Sequence, residues 1–125
     1  MLRKEIIKVV ADFIRGGDQS DLGKLDQVLH RDFRNVQYGF FEKKGVVILD
    51  KKKYIALVAD KVFGGISRDM EIVSLDVHDT VSVVQLRLES TKMIFNSFVS
   101  LIKEHDKWKV IGQLPDIYYK TDGQS

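Results

Sequence analysis

Apolar residues recur at two different periods along this chain, and the change between them divides it near Met70. Before that point the spacing is mostly three and four. Leu2, Ile6, Val9, Val10, Phe13 and Ile14 make one stripe, which predicts a helix. Gly16-Gly17 is expected to stop it, because glycine takes the left-handed conformation at a helix C-terminus without strain. Asp18, Ser20 or Asp21 can cap a second, shorter helix whose buried side is Leu22, Leu25, Val28 and Leu29. His30-Arg31-Asp32 reads as a turn. Phe33 to Phe41 and Val46 to Leu49 read as a hairpin joined through Glu42-Lys43-Lys44-Gly45. Asp50 is a good cap for a third helix, Lys51 to about Phe63, with Tyr54, Leu57, Val58 and Lys61 or Val62 inward. Gly64-Gly65 should end it as Gly16-Gly17 ends the first.

From Met70 onward period two takes over. Val73, Leu75 and Val77 alternate with polar residues, as do Val84, Leu86 and Leu88. Met93 to Lys103 and Trp108 to Leu114 complete four consecutive strands. The turns between them are His78-Asp79-Thr80, Glu89-Ser90-Thr91 and Glu104-His105-Asp106. The tail from Pro115 to Ser125 is expected to be partly disordered. One strand stands apart. Met93 to Lys103 is apolar on both faces, with Phe95, Val99 and Leu101 on one and Ile94, Phe98 and Ile102 on the other. Such a strand is buried on both sides. The helices of a short chain cover one face of a sheet, so a second copy of the chain is the expected cover for the other.

Composition narrows the classes without choosing one. The chain has 125 residues, which suits a single domain spanning 1–125. It has no cysteine, so disulfides, thiolate metal sites and cysteine nucleophiles are excluded. Its charge of +2 is a small difference between 20 basic and 18 acidic residues and demands no polyanion partner. The basic run Lys51-Lys52-Lys53 reads as the solvated first turn of a helix. It has no interleaved aromatic platform, so no nucleic-acid partner is expected. No segment approaches the apolar length of a membrane span, and Glu5, Lys8 and Asp12 interrupt the first apolar stretch, so no membrane or signal segment is expected and the cytoplasm is the default location. The three histidines lack ligand spacing, which predicts no metal site, and no cofactor motif is present.

The order helix, short helix, hairpin, helix, four-strand sheet resembles the nuclear transport factor two-like superfamily, an α+β, cystatin-like cone. Val28-Leu29-His30-Arg31-Asp32-Phe33 looks like its passage from second helix to first strand. Asp106-Lys107-Trp108-Lys109-Val110 looks like its closing turn and strand. Phe63-Gly64-Gly65 followed by Ser74-Leu75-Asp76-Val77 is similar to a SnoaL-like bacterial subgroup labelled "putative lumazine-binding". The resemblance covers residues 2 to 114. It implies a curved antiparallel sheet wrapped around the N-terminal helices, with a pocket between them. Relatives of this fold include isomerases, dehydratases and cyclases as well as binders and dimeric adaptors, so fold alone does not choose an activity.

Isomerase-like members place a carboxylate base along the first strand. Here that strand reads Phe33-Arg34-Asn35-Val36-Gln37-Tyr38 and has no carboxylate after Asp32. Asp32 and the pair Asp76 and His78, two apart on one strand, are the remaining candidates for proton transfer. The ordinary reading puts Asp76 and His78 on the outer side, since Val73, Leu75 and Val77 claim the inner one. Asn35, Tyr38, Tyr54 and Asn96 fall in segments that border the pocket, and Trp108, beside Gly112, joins them as a ligand-binding candidate. Aromatic walls with a few amides suit a small, flat, apolar or aromatic ligand. The expected function is therefore non-catalytic binding of such a ligand in the cone, by a homodimer joined through its sheet. The alternatives are a cofactor-independent isomerase, dehydratase or cyclase, and a dimeric association module without ligand.

Overall fold

The computed structural model describes residues 2–40 and 43–120. Its elements follow in the order α1 (Leu2–Asp18), α2 (Leu22–Val28), β1 (Leu29–Phe40), β2 (Lys43–Asp50), α3 (Lys51–Ala59), β3 (Asp69–Val77), β4 (Val81–Glu89), β5 (Met93–Glu104) and β6 (Lys107–Tyr119). The fold is α+β, as expected. Phe41, the expected end of the first strand, Glu42, the expected start of the hairpin turn, and the tail from Thr121 lie outside the described residues, while Lys43 to Gly45, expected in the turn, belong to β2.

The glycine pairs do something other than stop helices. α1 buries Ile6, Val10, Phe13 and Ile14, but it runs on through Gly16 and Gly17 to Asp18. A Cβ on Gly16 would stand 3.0 Å from the Leu25 side chain, so this glycine permits α2 to lie close against α1. The left-handed residue after the helix is Ser20, with φ 53°. Asp21, out of the three candidates, caps α2 by accepting from the Lys24 N–H at 3.1 Å. α3 is capped at its start by Asp50, which accepts from the Lys53 N–H at 2.9 Å. It ends at Ala59, well before Gly64-Gly65, because Lys61 turns the chain with φ 59°. Val62 is therefore exposed, while Tyr54 and Val58 form the buried face. Gly64 and Gly65 adopt φ of 73° and 78° and seat the following loop on the end of α1. The Gly65 N–H donates to the Gly17 carbonyl at 3.2 Å, and a Cβ on Gly64 would collide with that same oxygen.

Lys51 is not part of a solvated face. Its ammonium donates to the carbonyls of Asp26 and Leu29 at 2.9 and 3.0 Å, satisfying the end of α2. His30-Arg31-Asp32 belongs to β1 rather than to a turn, since Leu29 is already extended as it leaves α2 and pairs with Val110. The buried His30 ring accepts from the Asp32 N–H at Nδ1 (3.0 Å), so its proton sits on Nε2 and is donated to Glu104 (3.0 Å).

The strands form one open sheet in the order β2-β1-β6-β5-β4-β3. It is mixed, not wholly antiparallel, because β1 and β6 run parallel. The last four strands are sequential antiparallel neighbours. β2 and β3 are opposite edges, so α3 and the loop after it must cross the whole sheet, and they cross the face that carries the helices. Phe33, Leu75, Val84, Leu86, Leu88, Val99, Leu101, Trp108 and Val110 pack there against α1, α2 and α3 in one core. A bulge between Ile72 and Ser74 turns Val73 outward, so Leu75 and Val77 face in without it. β6 does not stop at Leu114; it pairs with β5 as far as Tyr119, opposite Met93. Beyond Gln113 it has lost β1 as a neighbour, and Pro115 is tolerated in a strand with one open side.

The outer face of the sheet is apolar without a cover. Tyr38, Val46, Ile48, Val83, Phe98 and Leu114 are 47–85% exposed. Among the described residues no helix is long and apolar enough to cross a membrane.

Candidate functional site

The inside of the cone is walled by aromatic rings brought from four elements. Phe13 of α1 meets Phe33 of β1 edge-on at 5.9 Å between centroids. Tyr54 of α3 meets Phe33 at 5.3 Å, Phe13 at 6.0 Å and Phe63 of the following loop at 5.6 Å. Burial pushes the Tyr54 phenol up to about 12; Arg68 offsets this in part and Asp18 adds to it. A phenol that high is neutral at ordinary pH and serves as a hydrogen-bond donor, not as a base. Its hydroxyl has no protein partner among the described residues.

At the rim of this chamber lies a largely buried ion pair. Arg68 donates through Nε to Asp18 Oδ1 at 2.7 Å and through its backbone N–H to Oδ2 at 3.2 Å. Its guanidinium lies over the Phe95 ring, 4.7 Å from the centroid. The two residues are 50 apart in sequence. They were not singled out from the sequence as a pair, where Asp18 reads only as a capping candidate. No local pattern links them; the Gly17–Gly64 contact brings them together.

The floor of the cone carries a chain of uncharged polar groups. Gln37 Nε2 donates to Asn35 Oδ1 at 2.8 Å, Asn35 Nδ2 to Gln113 Oε1 at 2.7 Å, and Gln113 Nε2 to Ser97 Oγ at 3.4 Å. All four residues are buried, and they span β1, β6 and β5. Asn35 follows Phe33 on the inner face and Ser97 follows Phe95, so the chain lies between two aromatic walls. Of its members the sequence pointed to Asn35 alone. A run of amides becomes visible as a unit once β1 and β6 are known to be neighbours.

The other expected site residues are scattered. Tyr38 and Asn96 lie on the opposite face of the sheet from Asn35 and Tyr54. Both line an open groove of ≈ 460 Å³, with Gln37, Val46, Phe98, Leu114 and Asp116 among the other lining residues, where β1 and β6 separate. Asn96 Nδ2 donates to the Tyr118 hydroxyl there, at 2.7 Å. Trp108 is 6% exposed and packed in the core, and its indole N–H has no partner among the described residues. Asp76 and His78 are exposed at the β3 edge. The Asp32 carboxylate is 64% exposed. The proton-transfer candidates therefore face solvent, away from the chamber.

A second open concavity, of ≈ 550 Å³, lies at the α2–α3 corner among Asp26, Arg31, Arg34, Asp50, Lys51, Lys52 and Ile55. Both concavities lie outside the cone, the expected place of the pocket; inside it the rings of Phe13, Phe33 and Tyr54 touch one another and Phe63 stands against Tyr54. Among the described residues no three His, Asp or Glu side chains are grouped to hold a metal ion.

A family model described as "Putative lumazine-binding" matches residues 2–114. The fold is shared with solved structures of low sequence identity. An NTF2-like protein of unknown function from Shewanella baltica is similar over 93% of each chain, with a TM-score of 0.80 and 15% identity. Another from Silicibacter pomeroyi is similar over 92% of this chain and 94% of its own, with a TM-score of 0.79 and 13% identity. An NTF2-like protein from Cytophaga hutchinsonii is similar over 93% and 98%, with a TM-score of 0.79 and 14% identity. A search of curated protein sequences finds no match.

Proposed function

The chain belongs to the family described as "Putative lumazine-binding", and from that footing we propose that it binds a small, flat heteroaromatic molecule in the cone. The ring would stand against Tyr54 and Phe63, with its edge towards the amide chain. The buried chain Gln37–Asn35–Gln113–Ser97 carries this reading. Uncharged polar groups are costly to bury and add nothing that aliphatic packing would not supply more cheaply. A lumazine-like ring alternates carbonyl and N–H groups along its edge. An amide offers a donor and an acceptor side by side, as it does to adenine, and so matches such an edge. Gln37 Oε1, at the end of the chain, has no protein partner among the described residues and is available to it. Because the rings touch, binding is expected to move the Phe63 loop rather than fill a standing void. Calorimetric titration with lumazine tests the reading. The double variant Asn35→Leu/Gln113→Leu should weaken binding by roughly tenfold or more, from the loss of a paired amide contact. An unchanged affinity in that variant, or no binding to the wild type at millimolar lumazine, sinks it.

The exposed outer face supports a second element of the proposal, a homodimer joined sheet to sheet. Register pairs place Val36 beside Ile48, Tyr38 beside Val46 and Phe98 beside Leu114, so the apolar positions form one stripe across the sheet. A stripe that is apolar at Val36, Leu114 and Phe98 is complementary to a second copy of itself, as a two-fold interface requires. Light scattering should give twice the chain mass at micromolar concentration; a monomer mass removes this element.

A further inference from the structure

Two polar groups at the rim of the cone are only half used by the protein. Arg68 spends its Nε on Asp18 Oδ1, and its backbone N–H holds Asp18 Oδ2. Neither terminal guanidinium nitrogen has a partner among the described residues, although the side chain is only 15% exposed. The Phe95 ring beneath the guanidinium and the carboxylate beside it fix the plane of the fork. The Tyr54 hydroxyl also has no hydrogen-bond partner among the described residues. An arginine held by its Nε edge presents its two Nη groups as a preorganised, end-on fork, which matches the two oxygens of a carboxylate. Asp18 neutralises the guanidinium while the site is empty, so its burial is tolerated. Arg68 lowers the Tyr54 phenol and Asp18 raises it, so the ion pair and the hydroxyl are neighbours.

We infer that the ligand of the cone is a planar aromatic acid, its carboxylate held by the Nη groups of Arg68 and the hydroxyl of Tyr54, its ring against Phe63. This rests on the cone-binding reading above and adds the charge of the ligand and the residues that select it. Sequence spacing gives no sign of such a site, since Tyr54 and Arg68 lie on opposite sides of a loop.

Calorimetric titration with three probes separates the two readings: lumazine, lumazine-6-carboxylate and 2-naphthoate. The wild type should bind lumazine-6-carboxylate about tenfold more tightly than lumazine, the usual advantage of a charge-assisted pair. The double variant Asp18→Asn/Arg68→Gln removes both charges together, leaves no buried charge alone, and should abolish that preference. Tyr54→Phe keeps the ring and should weaken the carboxylate probe several-fold more than it weakens lumazine, which keeps the test available if the double variant does not fold. Equal binding of lumazine and its carboxylate by the wild type overturns the acid-binding inference and leaves heteroaromatic binding standing. Binding of 2-naphthoate that depends on Tyr54 or Arg68, with no binding of either lumazine, does the reverse. No binding of any probe overturns both.

Discussion

Tyr54 shows how much one residue's surroundings decide. Its ring closes the aromatic wall, and desolvation is the main reason its phenol is raised to about 12 from 10. The unfolded chain ionises this group first, so the stability it contributes is complete below pH 10 and is lost as pH rises through 12. Denaturant unfolding followed from pH 9 to 12 should show an alkaline loss of about 2–3 kcal/mol that Tyr54→Phe removes. Superimposable alkaline limbs would contradict the burial. Glu104 works with the opposite sign. The hydrogen bond from His30, with Arg31 nearby, lowers its carboxyl, so its contribution is present above the ordinary carboxylate value and is lost as pH falls. Gly64 is a second residue whose role comes from its neighbour. Gly64→Ala adds a collision with the Gly17 carbonyl to the left-handed strain, whereas Gly45→Ala, at φ 94° with open space around it, adds strain alone. The first should cost about 2–4 kcal/mol and the second about 1; equal losses in urea melts would refute the contact. The types of these residues were legible in the sequence. Their partners were not, because Gly17–Gly64 and Asp18–Arg68 are contacts between segments nearly fifty residues apart.

At the scale of elements, the helix starts were readable and the ends were not. Asp21 and Asp50 cap by bonds to the backbone three residues on, a local rule that needs no tertiary knowledge. Helix ends depended on packing. α1 continues through two glycines because Leu25 of α2 rests on the first, and α3 stops early at a lysine in a left-handed turn. β6 illustrates the same limit. Pro115 reads as the end of a strand, yet β5 begins at Met93 and holds β6 to Tyr119. Removing residues 115–125 should therefore leave Met93 to Ser97 unpaired on the β6 side, with β4 as their one remaining neighbour. The truncated chain should lose several degrees of melting temperature and become prone to aggregation through the bared edge. An unaltered melt would mean that the 115–119 pairing contributes nothing.

For the whole molecule, the apolar outer face is the largest feature that one chain leaves unresolved. If two copies cover it, unfolding is coupled to dissociation and the melting temperature rises with protein concentration. Phe98→Glu, at the centre of the stripe, should abolish that dependence; a wild-type melting temperature independent of concentration speaks against the dimer. The sequence alone determined the order of elements, the α+β class and the two-faced character of β5, because period and capping are local and survive without knowledge of neighbours. It also reported the absence of a carboxylate along β1 after Asp32. Tertiary structure decided everything that depends on which strands lie side by side. The parallel pairing of β1 with β6 assembles the amides of Asn35, Gln37 and Gln113 with Ser97 into one buried chain. The crossing of α3 and its loop brings Tyr54 and Arg68 to one rim. The strand pleat then sends Tyr38 and Asn96 to the far side of the sheet from Asn35, since a single residue step reverses the face.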